Sequence, residues 1–125
     1  KGGSLASHAC FISGLRKLET EIDGVAQEPW RPKFVYHYIQ NEYIEPDLVV
    51  DVSDYWEIKK NSILAFKSQF HNPDSKEPES FISSPEFLDF IEARSRELGH
   101  KINVKYGEGF TVERVAGVKN LFDLI

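Results

Sequence analysis

The chain has 125 residues, a net charge of −5, and 28% charged against 41% hydrophobic residues. That size and balance fit one ordinary globular domain that needs no disulfide staples, and exclude a disordered chain. With 15 basic against 20 acidic residues and no basic stripe, the composition argues against a nucleic-acid partner. No apolar run approaches the roughly 20 residues that span a bilayer as a helix.

Taken in chain order, residues 4–18 read as a helix, with Leu5, Ala9, Ile12 and Leu15 at helical spacing. Residues 20–32 read as a linker broken by Gly24, Pro29 and Pro32. Residues 33–39 read as a strand with bulky groups on both faces. Residues 48–52, Leu-Val-Val-Asp-Val, follow a Pro-Asp turn. Apolar on both faces, they read as an interior strand of a largely parallel sheet. Residues 54–70 read as a helix started by an Asp54/Glu57 capping pair, with Trp56, Ile63, Phe66 and Phe70 on one stripe. Residues 71–80 read as a polar loop. Ser84-Pro85 then opens a helix, with Phe87, Ile91 and Leu98 buried and Gly99 as its stop. Residues 102–115 read as extended and broken at Gly107-Glu108-Gly109, and a short apolar segment ends the chain. Interior-type strands joined by helices predict an α/β layer fold.

Methionine is absent, even at position 1. We therefore expect a processed chain or a piece of a longer one, in which the missing signal peptide carries little weight. The single cysteine, Cys10, has no internal disulfide partner. It reads as a small buried hydrophobe in a reducing compartment.

The sequence offers few chemical constellations. The histidines at 8, 37, 71 and 100 form no i, i+3 or i, i+4 pair, so a closed metal site within the chain is not expected. Cys10 has no basic neighbour to activate it, and no Gly-x-Ser-x-Gly elbow occurs. His37 stands mid-strand between Tyr36 and Tyr38, either as a hydrogen-bonded core histidine or as a side chain pointing into a pocket. Tyr106 precedes the two glycines, as an aromatic anchor of a turn or as a hydroxyl donating to an oxyanion. Arg31, between Trp30 and Pro32, is a solvated loop charge or a carboxylate clamp.

Four stretches reorder these alternatives: Ala9-Cys10-Phe11-Ile12-Ser13-Gly14-Leu15-Arg16-Lys17, Pro29-Trp30-Arg31-Pro32 with Tyr36-His37-Tyr38, Lys67-Ser68-Gln69-Phe70, and Val104-Lys105-Tyr106-Gly107-Glu108-Gly109-Phe110. Together, and in this order, they resemble the LmbE-like (PIG-L) zinc-dependent N-acetylglucosamine deacetylases, most closely the bacillithiol biosynthesis branch. The resemblance spans residues 4–124.

It implies the C-terminal half of a single Rossmann-like domain. The family's His-Pro-Asp-Asp and His-Pro-Asp-His motifs, which hold the Zn2+ and the acid/base groups, would lie upstream of Lys1. The implied reaction is amide hydrolysis, in which a metal-bound water attacks the acetamide of an N-acetylglucosaminyl conjugate such as N-acetylglucosaminyl malate. The resemblance places Tyr106 near the tetrahedral oxyanion as the catalytic contribution of this chain. It places Arg31 at the mouth of the site as a substrate contact, with His37 as a weaker one. It implies a cytoplasmic enzyme with a small-molecule partner, no membrane, and a possible homo-oligomer. Two rival readings are a deacetylase of another N-acetyl sugar and a non-catalytic half-domain that assembles with another chain.

Overall fold

In the computed structural model, which describes residues 2–40, 42–70, 78 and 80–125, the centre of the chain is a strand that the sequence reading breaks in two. The elements in order are α1 (Gly2–Ile12), β1 (Glu21–Ile22), β2 (Val25–Ala26), β3 (Tyr36–Tyr38), β4 (Leu48–Asp51), α2 (Trp56–Leu64), α3 (Glu86–Lys101) and β5 (Gly107–Val112). Short 3₁₀ turns cover Ser53–Tyr55, Phe81–Ser83 and Leu121–Asp123. β1 and β2 form a small hairpin, and the other strands form one sheet in the order β3-β5-β4. The fold is mixed α/β.

The expected parallel sheet is corrected. β5 runs antiparallel to both neighbours, with Tyr38 opposite Phe110 on one side and Leu48 opposite Phe110 on the other. β4 is apolar but pairs only with β5 among the described residues, so its other edge is open. Continuous hydrophobicity does not report the direction of the neighbour, and here it does not report burial either, since Val50 and Asp51 are exposed.

Gly107 and Gly109 lie inside β5 instead of breaking it. A Cβ at Gly107 would sit 2.7 Å from the Gly99 nitrogen and 2.7 Å from Val49 Cγ1. One at Gly99 would sit 2.8 Å from the Val104 carbonyl oxygen. Gly99 is therefore not the stop of α3. It lies in the helix and lets α3 approach β5 backbone to backbone. The helix ends at Lys101; just past it Asn103, at a φ of 61°, takes the left-handed conformation, and Val104 N–H returns to the Gly99 carbonyl at 3.0 Å. Ser95, almost fully buried on the same stripe as Leu98, donates from Oγ to the Gly107 carbonyl at 2.9 Å.

The other helices are shorter than the periodicity predicts. α1 ends at Ile12, not residue 18. Gly14 follows, and the exposed Ser13 carbonyl accepts from Trp30 N–H at 3.0 Å. α2 starts at Trp56 without a side-chain cap and stops at Leu64. Asp54 caps nothing. Asp51 instead accepts from Ser53 N–H at 2.9 Å and Ser53 Oγ at 2.6 Å, which holds its carboxyl below the usual aspartate range. Phe66 is exposed, while Phe70 stacks on Phe87 at 5.4 Å. Ser84 is buried and bonds to the Phe81 carbonyl instead of capping α3. Most of the expected polar loop at 71–80 lies outside the described residues. The hairpin β1–β2 lies within the expected linker and turns on Asp23 and Gly24, at φ of 52° and 77°. Both values are positive, as a type I′ hairpin turn requires. Cys10 is half-buried rather than buried.

Among the described residues the buried apolar side chains are Trp56, Leu98 and Tyr106. Large apolar groups remain exposed on α1, on the hairpin, and along residues 115–125, where Phe122 is 93% exposed.

Gly107→Ala is expected to destabilise the chain by about 1–3 kcal/mol, because its Cβ meets backbone that cannot retreat. Gly117→Ala, with nothing within 4 Å, should change stability by less than about 0.5 kcal/mol. Urea denaturation of the two variants checks this; equal midpoints would contradict the close approach.

Candidate substrate-binding site

One stripe of α1 organises two of the sequence-predicted residues. Gly3, Ser7, Phe11 and Gly14 recur at steps of four, four and three, so they share a face and continue it one turn past the helix. Arg31 meets the C-terminal end of this stripe. Its Nη2 donates to the Phe11 carbonyl at 2.8 Å, and the guanidinium carbon sits 4.7 Å from the Phe11 ring centroid. A Cβ at Gly14 would lie 2.5 Å from Arg31 Nε, so glycine there makes room for the arginine. Among the described residues this is the only hydrogen bond of Arg31. A guanidinium has five N–H groups, so most remain free to meet a carboxylate or hydroxyls.

His37 meets the other end. It lies in β3 opposite Thr111, and its Nε2 is 3.0 Å from Glu113 Oε1 and 3.2 Å from Ser7 Oγ. The half-buried ring thus joins β3, the end of β5 and the first turns of α1. Glu113 titrates below the usual glutamate range, chiefly through the Ser7 hydroxyl and then His37. Sequence reasoning missed Ser7 and Glu113, because the His37–Thr111 register that brings them together is not written in either segment.

Tyr106 is elsewhere. It precedes β5, five residues before Thr111, which at strand rise separates the two ends by about 17 Å. The side chain is 5% exposed and stacks on Trp56 with centroids 4.6 Å apart. Its hydroxyl donates to Glu92 Oε1 at 3.0 Å and accepts from Arg96 Nη2 at 3.1 Å. Arg96 is also paired with Glu92 at 2.7 Å. Burial, then the neighbouring Glu92 carboxylate, pushes the phenol's pKa up. Arg96, then the Tyr106 hydroxyl, holds Glu92 below its ordinary value. The structure brings Arg31 and His37 to one helix face and keeps Tyr106 in a separate, internally satisfied cluster.

A second cleft, of about 510 Å³, lies between α2, α3 and β5, with Ile63, Phe87, Ile91 and Leu98 in its walls. Lys59 pairs with Glu108 there at 2.7 Å. Among the described residues no group of three or more His, Cys, Asp or Glu side chains converges as a metal ion would require. None of the described helices is long and apolar enough to cross a membrane.

No protein-family profile matches the chain. Among solved structures it is similar to the conserved protein TT1542 from Thermus thermophilus, with 26% identity and a TM-score of 0.70. The match covers 92% of this chain and 45% of that one, so the chain spans less than half the length of that protein.

Tyr106→Phe keeps the Trp56 stack and removes the hydroxyl's bonds, which should lower Tm by roughly 5 °C in thermal denaturation. Glu92 and Glu113 both have depressed folded-state pKa values. Their stabilisation is therefore present above the ordinary glutamate value of 4.5 and is lost as pH falls through the lower folded values. Urea midpoints should drop as pH is lowered from 5 towards 3, and Glu92→Gln should flatten that drop.

Proposed function

We propose that this chain is the C-terminal half of a zinc-dependent deacetylase acting on an N-acetylglucosaminyl conjugate. The larger Rossmann-like domain would be completed, and its metal held, by residues outside those described. The observation that carries the proposal is the placement of Arg31 and His37 on one face of α1. Both come from the motifs that carry the family resemblance. A similar solved chain about twice as long also supports the reading, as does the apolar surface left exposed on α1 and at residues 115–125. A larger domain would cover such surface.

In this reading Arg31 binds the carboxylate of an acidic aglycone such as malate, its planar fork matching two oxygens. Its bond to the Phe11 carbonyl and its contact with the Phe11 ring fix the guanidinium in place before substrate arrives. His37 contacts the sugar. Tyr106 reaches an oxyanion only if its hydroxyl leaves Glu92, so we assign it to joining α2 and α3 away from the site. The enzyme would be cytoplasmic.

The test is acetate release by the longer protein that carries this chain. We expect release from N-acetylglucosaminyl malate, with Arg31→Ala raising KM about 10- to 100-fold at little cost to kcat. Release from other N-acetyl sugars, with malate conjugates left intact, would move the assignment to the neighbouring activity. No release from any of them would end the deacetylase reading. Tyr106→Phe should leave kcat nearly unchanged; a kcat loss far larger than any rise in KM would restore the oxyanion role.

A further inference from the structure

We propose that Glu113 and Ser7 are positioning residues that lock His37 with its proton on Nε2 and present Nδ1 as a hydrogen-bond acceptor for a sugar hydroxyl. This rests on the reading of Arg31 and His37 as the substrate contacts of a deacetylase.

The atoms able to donate decide the tautomer. Glu113 Oε1 lies 3.0 Å from His37 Nε2, and an ionised carboxylate only accepts. Nε2 must therefore carry a hydrogen. Ser7 Oγ, 3.2 Å from the same nitrogen, points the same way. Its single proton has two acceptors to choose between, the Gly3 carbonyl at 3.0 Å and the Glu113 carboxylate, and with either the hydroxyl oxygen is left as a second acceptor for Nε2–H. One N–H shared between two acceptors is an ordinary three-centre arrangement. In the neutral imidazole the other nitrogen, Nδ1, is then a lone-pair acceptor.

Nδ1 has no hydrogen-bond partner among the described residues. Beside it is Gly3, where a Cβ would stand 3.2 Å away. With no side chain at Gly3, no Cβ crowds this ring edge. Both ends of the α1 stripe thus carry a glycine that clears space for a polar side chain: Gly14 for Arg31 and Gly3 for His37. The two ends differ in chemistry. Arg31 supplies only donors and suits a carboxylate. His37, fixed in this tautomer, supplies an acceptor and suits a hydroxyl. A conjugate with an acid at one end and a sugar at the other matches that polarity.

The tautomer is read by ¹⁵N NMR of the full-length protein at a pH where the ring is neutral. We expect Nε2 to show the protonated-type shift and Nδ1 the lone-pair type, and Glu113→Ala to mix the two. A wild-type ring protonated at Nδ1 overturns the inference while leaving the acetate assay untouched. Gly3→Ala, which crowds Nδ1, should raise KM for the conjugate about tenfold with kcat retained, about the value of one hydrogen bond. An unchanged KM in a folded Gly3→Ala variant also overturns the hydroxyl contact. Absence of any acetate release, with the tautomer as expected, would sink the deacetylase reading and the hydroxyl contact, leaving only the lock on His37.

Discussion

The close approach of α3 to β5 is the constraint on which the rest of the structure depends. A helix and a strand normally pack through side chains. Here Gly99 on the helix and Gly107 on the strand remove them, and the two backbones meet. The Ser95 hydroxyl adds a buried bond to the Gly107 carbonyl at 2.9 Å. Because β5 is the middle strand, fixing it against α3 fixes β3 and β4 as well. The position of His37 follows, since it is set by its register with Thr111 on β5. His37 is therefore held by a contact at the far end of the same strand, where Gly107 meets Gly99 of α3.

The cluster around Tyr106 does a related job by different means. The ring stacks on Trp56 from α2, while its hydroxyl is tied to Glu92 and Arg96 of α3. Its backbone is tied too, since Val52 N–H donates to the Tyr106 carbonyl and Tyr106 N–H donates to Ser53 Oγ. One residue thus joins both helices to the turn after β4. A buried phenol needs a partner for its hydroxyl, and an ion pair at the helix surface provides one without burying an unpaired charge.

Much of this fold was legible, in graded fashion. α3 and the existence of β4 followed from periodicity, though of the expected stripe only Leu98 is buried while Phe87 and Ile91 are half-buried. The sense of β4 was not legible, because the pairing partner lies about sixty residues downstream. The glycines at 99, 107 and 109 were visible but misread: a glycine that stops a helix and one that lets it touch a strand look alike in one dimension. The Asp23-Gly24 pair between Ile22 and Val25 was a recognisable hairpin signal that the nearby prolines obscured. Arg31 and His37 were candidates from their positions in the sequence, the motif resemblance favoured a substrate role for them, and the structure added what surrounds them. Ser7 and Glu113 were beyond reach because their roles exist only once α1, β3 and β5 are assembled.

The open edge of β4 has a consequence for which strands it can accept. Among the described residues no strand pairs with this edge, and such an edge is a template for another strand. Asp47 and Asp51 stand at its two ends, and each carboxylate is oriented locally, Asp47 by Val112 N–H and Asp51 by Ser53. Two copies joined edge to edge in parallel would set Asp47 against Asp47 and Asp51 against Asp51. In the antiparallel sense Asp47 of one would come near Asp51 of the other. Like charges brought together across strands oppose pairing. The edge thus carries a carboxylate at each end, that of Asp47 also capping Val112 N–H of β5, and both oppose pairing with a second copy of the same strand.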